Sequence, residues 1–344
     1  MIKSLVFTII SLSITQSAFA FKLFKADEFD CVREVIPASG LPNGIATDRL
    51  ESGVFVKTCE GDYASVRFQN GEVSLVETNN KVPSRQLKGE KTALLDSEIS
   101  SSKTIKAAWL TGSTDRYPHE ILGDDIEATG MAIIDRAGKR YNLELNEDSV
   151  FEDRKVRIAD LDRDGTEEII VVKSYQDSGA ALAVYGIRGG KLILIAETPS
   201  IGTPNRWLNP AIIADVDNDG ALEIAYVETP HIGGILHVLS FKNNKLTYKY
   251  KSRSTSNHGI GSRVQELAAA VDWNGDGIKD IAVPNASRNA MKVFSYAKRK
   301  PELIDEIKLG DRILSAMVST DLNKDKKPEL VFALFNGRLL VLTP

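Results

Sequence analysis

Three segments of the chain place acidic side chains at alternate positions in a short loop: Asp160, Asp162, Asp164 and Glu168; Asp215, Asp217, Asp219 and Glu223; Asp272, Asn274, Asp276 and Asp280. A hard divalent ion such as calcium takes about six to eight oxygen ligands. A tight loop supplies them with side chains at positions 1, 3 and 5, a backbone carbonyl at 7 and a carboxylate at 9. The carbonyls are those of Thr166, Ala221 and Ile278, and Gly165, Gly220 and Gly277 permit the curl. Without a cation, carboxylates this close repel one another and bind protons more tightly. A fourth segment, Asp321, Asn323, Asp325 and Glu329, keeps the spacing but has Lys326 in place of Gly, with Lys324 and Lys327 beside it. Those ammonium groups would compete with a cation.

The helical calcium-binding loop shares the Asp-x-Asp-x-Asp-Gly start, but it needs a bidentate Glu at position 12 and flanking helices. Position 12 here is Val171 or Tyr226, and strand follows. Asp-Gly and Asn-Gly are also good turn formers between strands. Turn propensity alone does not account for acidic residues in register across three loops.

The first acidic residues of the four copies lie 55, 57 and 49 residues apart. A period near 50 marks a repeat architecture. Around each loop the sequence alternates apolar and polar residues over short runs that end in Gly, Asn, Asp or Pro, which predicts strands joined by turns. In the first copy the strands are Lys155 to Ala159, Glu168 to Ser174, Ala181 to Ile187 and Lys191 to Ala196. The next two copies have the same order, and the strands Ile105 to Gly112, Ile121 to Ala128, Gly130 to Arg136 and Arg140 to Glu144 read as a further unit whose acidic loop is replaced by TGSTDRYPHEILGDDIEA. Four antiparallel strands per repeat make the blade of a β-propeller. The expected fold is therefore all-β, a propeller of about six blades, or seven if the N-terminal region is fuller. A strand near Phe29 to Ile36 is expected to complete the last blade, so that strands from both chain ends pair.

Residues 1–20 have a secretory signal layout: Lys3, an apolar run from Leu5 to Ile14, and Ala18-Phe19-Ala20 before the cleavage point. The run is too short to span a bilayer, and no later segment looks like a membrane helix. Cleavage after Ala20 would leave residues 21–344 as one propeller domain, with clear repeats from 103 to 344, in the periplasm or outside the cell. The chain is 42% hydrophobic with a formal charge of -4, and no basic stripe points to nucleic acid. A monomer is expected. Cys31 and Cys59 would form a disulfide in an oxidising compartment, contributing about 3 kcal/mol in the chain-entropy model; two buried thiols are the alternative.

The loops and the strands after them resemble the FG-GAP/VCBS repeats of integrin-α-type propellers and of exported proteobacterial proteins, over roughly Lys103 to Pro344. The resemblance implies loop-bound calcium that stiffens the blades, and a role in adhesion or in binding a protein or glycan partner. Family membership alone does not set the function. Outside the acidic loops, the unusual chemistry lies in connections: Asp115, Arg116, Tyr117 and His119; Arg206, Trp207 and Asn209; His231; and His258. On one propeller face these could form a polar mouth, with Trp207 stacking on a sugar and Arg206 holding an anion. The simpler reading, which is favoured, is that they fix turns and pack blades together. A hydrolase or lyase acting on a sugar or phosphate ester through His119, Arg206, His231 and His258 is the rival to a binding module, although no nucleophile motif or zinc spacing stands out.

Overall fold

The computed structural model describes residues 22–25, 31–37, 53–77, 94 and 96–344. The signal segment at 1–20 lies outside the described residues. All regular elements among the described residues are strands, and none is a helix able to cross a membrane.

Strand β1 (Lys22–Lys25) precedes β2 (Val32–Pro37), β3 (Val54–Thr58), β4 (Tyr63–Gln69) and β5 (Glu72–Glu77); the last four form one antiparallel sheet in chain order. Next come β6 (Ile105–Thr114), β7 (Glu127–Asp135), β8 (Arg140–Glu144) and β9 (Ser149–Phe151). They are followed by β10 (Arg157–Ala159), β11 (Glu168–Tyr175), β12 (Gly179–Arg188) and β13 (Lys191–Glu197). These eight share one sheet because β9 pairs with both β7 and β11, joining two successive meanders. Two four-stranded meanders follow: β14 (Leu208–Ala214), β15 (Glu223–Glu228), β16 (Ile235–Lys242) and β17 (Lys245–Arg253); then β18 (Ala269–Val271), β19 (Asp280–Pro284), β20 (Ala290–Ser295) and β21 (Glu302–Lys308). The last sheet contains β22 (Val318–Thr320), β23 (Glu329–Ala333) and β24 (Leu339–Thr343), with β1 on its outer side.

The second strand of each repeat is buried on both faces, which is why EIIVVKS, EIAYV, DIAVP and ELVFA read as nearly unbroken apolar runs behind one acidic residue. Neighbouring sheets share their cores. Ala225 and Val227 pack with Ile281, Val283 and Phe294, while Val293 and Ile307 pack with Phe332 and Leu340. The outer strands β13, β17 and β21 are largely exposed and carry charges that discourage edge pairing. Each has a register shift at the matching point against its neighbour, at Val184/Tyr185, Val238/Leu239 and Val293/Phe294. That shared irregularity marks the three sheets as copies of one unit.

Two sequence expectations are corrected. The segment Phe29 to Ile36 does not complete the last sheet. Val32 and Val35 turn into a core with Val54 and Val56, and β2 heads its own sheet. β1 instead pairs with β24, in the register Lys22↔Thr343 through Lys25↔Leu340. The second correction concerns the expected strands at Ile121–Ala128 and Gly130–Arg136. They are one irregular segment and one long strand, β7, and Ile121 and Leu122 leave the sheet to pack beside Trp207. The place of a first strand before β6 is taken by a single bridge from Ser100 to Ala108. Cys31 and Cys59 are disulfide-bonded, with Cα atoms 5.4 Å apart.

If β1 seals the last sheet, the double substitution Leu23→Pro/Phe24→Pro must remove at least one ladder donor. We expect it to lower the thermal midpoint by several degrees, corresponding to a loss of about 3 kcal/mol. An unchanged melting curve would rule out the β1–β24 pairing.

Candidate metal centres and the polar cluster beyond them

The four acidic loops join β10 to β11, β14 to β15, β18 to β19 and β22 to β23. Three hydrogen bonds recur in each. The N–H at position 6 donates to the first carboxylate: Gly165 to Asp160, Gly220 to Asp215, Gly277 to Asp272 and Lys326 to Asp321, at 2.8–3.1 Å. The N–H at position 7 donates to the fifth residue's carboxylate, as from Thr166 to Asp164 and from Lys327 to Asp325. The N–H at position 2 donates to the carboxylate at position 9: Leu161 to Glu168, Val216 to Glu223, Trp273 to Asp280 and Leu322 to Glu329, at 2.7–3.1 Å. Positions 4 and 6 are left-handed in all four loops, including Lys324 (φ 64°) and Lys326 (φ 72°) in the fourth. Lysine thus takes the glycine conformation there at some steric cost.

These bonds use only part of each carboxylate. Oδ1 of Asp160, Asp215 and Asp272, all at position 1, is buried without a hydrogen-bond partner, as is Oδ1 of Asp217 and of Asp280. Ligand oxygens of Asp160, Asp162 and Glu168 lie within 4.8 Å of one another, and so do those of Asp215, Asp217 and Glu223. Buried, unpartnered carboxylate oxygens are costly unless a cation meets them. Burial pushes the carboxyls of Glu168 and Glu223 up, that of Asp280 to about 6 and that of Glu329 to about 7. The residues therefore fit a hard cation: side-chain oxygens at positions 1, 3, 5 and 9, with the carbonyl of Thr166, Ala221 or Ile278 as the further donor.

The loops differ in the positive charge already present. Lys249, on the outer strand β17, reaches into the second loop and pairs with Asp217, Asp219 (3.0 Å) and Glu223 (3.1 Å). These three carboxylates raise its pKa against the opposing effect of burial. A metal at the second loop must displace this tethered ammonium. In the first loop Arg188 contacts Glu168 at 3.0 Å. Among the described residues no cationic side chain is ion-paired to the carboxylates of the third loop. In the fourth, the expected competitors Lys324, Lys326 and Lys327 form no ion pair with it among the described residues. Instead Asn323 Nδ2 donates to Asp325 (3.2 Å) and Glu329 (3.0 Å). Lys249 was hidden in the sequence because it belongs to a solvent-facing alternation far from the loop it enters.

In an antiparallel meander, successive connections alternate between the two ends of the sheet. The acidic loops stand at one end. The turns between second and third strands, and the links between sheets, stand at the other, where most of the remaining candidate residues fall. The TDRYPHEILGDD segment is the β6–β7 connection and belongs to this second end, so it does not replace an acidic loop. The counterpart of the acidic loop is the short stretch 101–104, pinned when Glu167 accepts from Ser102 Oγ (2.6 Å) and the Thr104 N–H (3.1 Å).

At the second end Asp115 is exposed, and Arg116 donates to the carbonyls of Asn146 (2.9 Å) and Ser149. Tyr117 is buried; its hydroxyl accepts from the Asn205 N–H at 3.0 Å, and burial lifts its pKa to about 12. His119 Nδ1 meets the buried carboxylate of Glu152 at 2.5 Å, and Ser174 donates to the other oxygen of that carboxylate. Arg206 turns to the Asn205 carbonyl at 3.0 Å. Asn209 is fully buried and donates to the carbonyls of Asn257 and Gln265, while Asn257 donates back to Asn209.

Trp207 is also buried, 2% exposed, so the expected sugar-stacking role is withdrawn. Its Nε1 donates to the Glu152 carbonyl at 3.0 Å, and its ring lies parallel to His231 and edge-on to His258. His258 Nε2 lies 2.8 Å from the Ser262 carbonyl and must carry a proton; its Nδ1 then accepts from His231 Nε2 at 3.0 Å. Burial holds both rings neutral, with pKa values near 4 for His258 and 3 for His231. Gly234 closes the TPHIGG turn against the Thr255 backbone, where a Cβ would come within 1.6 Å of the carbonyl oxygen. The structure thus joins Tyr117, His119, Trp207, Asn209, His231 and His258 in one packed network and leaves Asp115 outside it.

Residues 156–226 match the FG-GAP-like repeat model. The chain carries an FG-GAP-like repeat. The matched stretch runs from the first acidic loop through the second and the strand after each, and the same loop geometry recurs twice beyond it. The matched residues lie within a chain of repeated four-stranded antiparallel meanders. No curated protein matches the chain. The solved structures that are similar include BBS1N in complex with ARL6DN, from a crystal soaked with lead, at 12% identity and a TM-score of 0.43 over 91% of this chain and 77% of that one.

Replacing Lys249 with Met leaves three loop carboxylates without their counter-ion. In chelator we expect a stability loss of about 2 kcal/mol, the buried-pair cost discounted for partial exposure, and recovery when calcium is added. Equal loss with and without calcium, measured by thermal melting, would show that the second loop holds only the lysine.

Proposed function

We propose that this protein is an exported, calcium-stabilised propeller of six blades that serves as an interaction module, its ring closed through the β1–β24 pairing. The observation that carries the calcium reading is the partnerless position-1 oxygen, repeated at Asp160, Asp215 and Asp272 in loops whose backbone bonds are already satisfied. One orphaned oxygen could be a local accident; three at the same loop position call for a common partner. Bound calcium would cross-link the first and second strands of its blade, leaving the opposite end to present a binding surface. An interaction role is supported by the FG-GAP-like repeat and by the absorption of His119, Trp207 and His258 into packing. The hydrolase alternative needs free histidines, whereas both ring nitrogens of His258 are engaged.

An ion bound only by the folded chain stabilises it by mass action, by about 2.7 kcal/mol at a hundredfold excess over Kd. Chelation should therefore lower the melting midpoint, and elemental analysis of the purified protein should find calcium. Asp272→Ala should remove most of the third loop's share. Unchanged melting in chelator together with no detectable calcium would refute the reading. A glycan array probed with and without chelator tests the interaction role directly.

Export rests on the residue layout of positions 1–20. Intact-mass measurement of the protein recovered from the periplasm or medium should give a chain beginning at Phe21. A cell-associated chain that retains Met1 would contradict export.

A further inference from the structure

At the end of the sheets opposite the acidic loops, a cavity of about 600 Å³ opens between the connections that follow β15, β17, β19, β21 and β23. Its lining includes His231, Ile260, Arg288, Arg312 and Phe335, and no Asp or Glu. Arg288 is half-buried and fixed in place, donating from Nη1 to the His258 carbonyl (3.0 Å) and to Ser256 Oγ (3.2 Å). Burial first, and then the charge of Arg312, hold its pKa below the ordinary guanidinium value. The Arg312 guanidinium lies 4.5 Å from the Phe335 ring centroid and has no ion-pair partner among the described residues. Two guanidinium groups therefore face one cavity without a counter-ion. The neutral His231 adds no third charge.

The apolar side of the same cavity is equally unusual. The three most exposed large apolar side chains among the described residues are Ile260 (73%), Ile232 (62%) and Phe335 (56%). Two of them line this cavity, and Ile232 follows His231 in the chain. Single exposed apolar residues are ordinary, but two of the three largest exposures lining one pocket, with the third next in the chain to a lining residue, mark a contact site. Paired arginines suit the planar or tetrahedral oxygens of a carboxylate or phosphate. Ligand pockets typically combine such placed polar groups with apolar walls at about this volume.

We propose that the cavity binds a small organic anion, its carboxylate or phosphate held between Arg288 and Arg312 and its apolar body resting against Ile260 and Phe335. The site is separate from the acidic loops, and the proposal does not depend on calcium.

Isothermal titration of the full mature chain with octanoate, octyl phosphate, 1-octanol and inorganic phosphate tests it, with the same titrations repeated in chelator. At least one octyl anion should bind saturably, and the tighter of the two identifies the head group. Octanol and inorganic phosphate should each bind at least about tenfold more weakly, since each lacks one half of the recognition. Arg312→Ala, at an exposed position, should keep the melting midpoint and weaken the octyl anion about tenfold or more. Arg312→Lys should recover part of that loss, because it keeps the charge without the fork. Absence of saturable binding by both octyl anions, octanol binding as tightly as they do, or an unaltered affinity in a folded Arg312→Ala variant would overturn the proposal. Inorganic phosphate matching octyl phosphate would overturn its apolar half.

Discussion

Four carboxylates sit almost fully buried where the second strand of each repeat begins: Glu168, Glu223, Asp280 and Glu329. A buried carboxylate is tolerable only when its oxygens are engaged. In each repeat one oxygen is engaged by the N–H two residues into the preceding loop, at 2.7–3.1 Å. That bond closes the loop across its base, tying its second residue to the first residue of the strand that follows.

The second oxygen is where the repeats diverge. Arg188 meets it in the first loop, Lys249 in the second and Asn323 in the fourth, while in the third Asp280 Oδ1 is left without a partner. The same backbone frame thus accommodates a guanidinium, an ammonium, an amide or an open oxygen. Repeat proteins commonly hold their shared geometry in backbone bonds and vary the side chains that finish it.

The other end of the molecule works by different rules. Its connections have no shared pattern, so each is held by its own contacts: Asn209 with Asn257, Trp207 with Glu152 and the two histidines, Gln265 with Asp153. Polar residues there tie one sheet to the next and are buried in doing so. Of the side chains left exposed beside that network, Ile232 and Ile260 stand within two residues of the candidate histidines His231 and His258, while Arg312 and Phe335 came from positions that no motif marked.

The repeat, the strand order within it and the ligand spacing of the loops were all legible in the residues, because a strand's side chains alternate and a loop's geometry depends on a few adjacent positions. The sequence by itself determined these local features. It did not determine which terminal strand would complete the last sheet. β1 and β2 are both short strands near one chain end; β24 takes β1 as its edge partner, while β2 pairs with β3 and packs Val32 and Val35 against Val331 and Val341 of the last sheet. Nor could spacing show that Lys249 enters the second loop, that Trp207 is buried between histidines, or that Arg288 and Arg312 face one cavity. These pairs lie 24 or more residues apart, and their meeting depends on how whole sheets pack. Tertiary structure alone decided them.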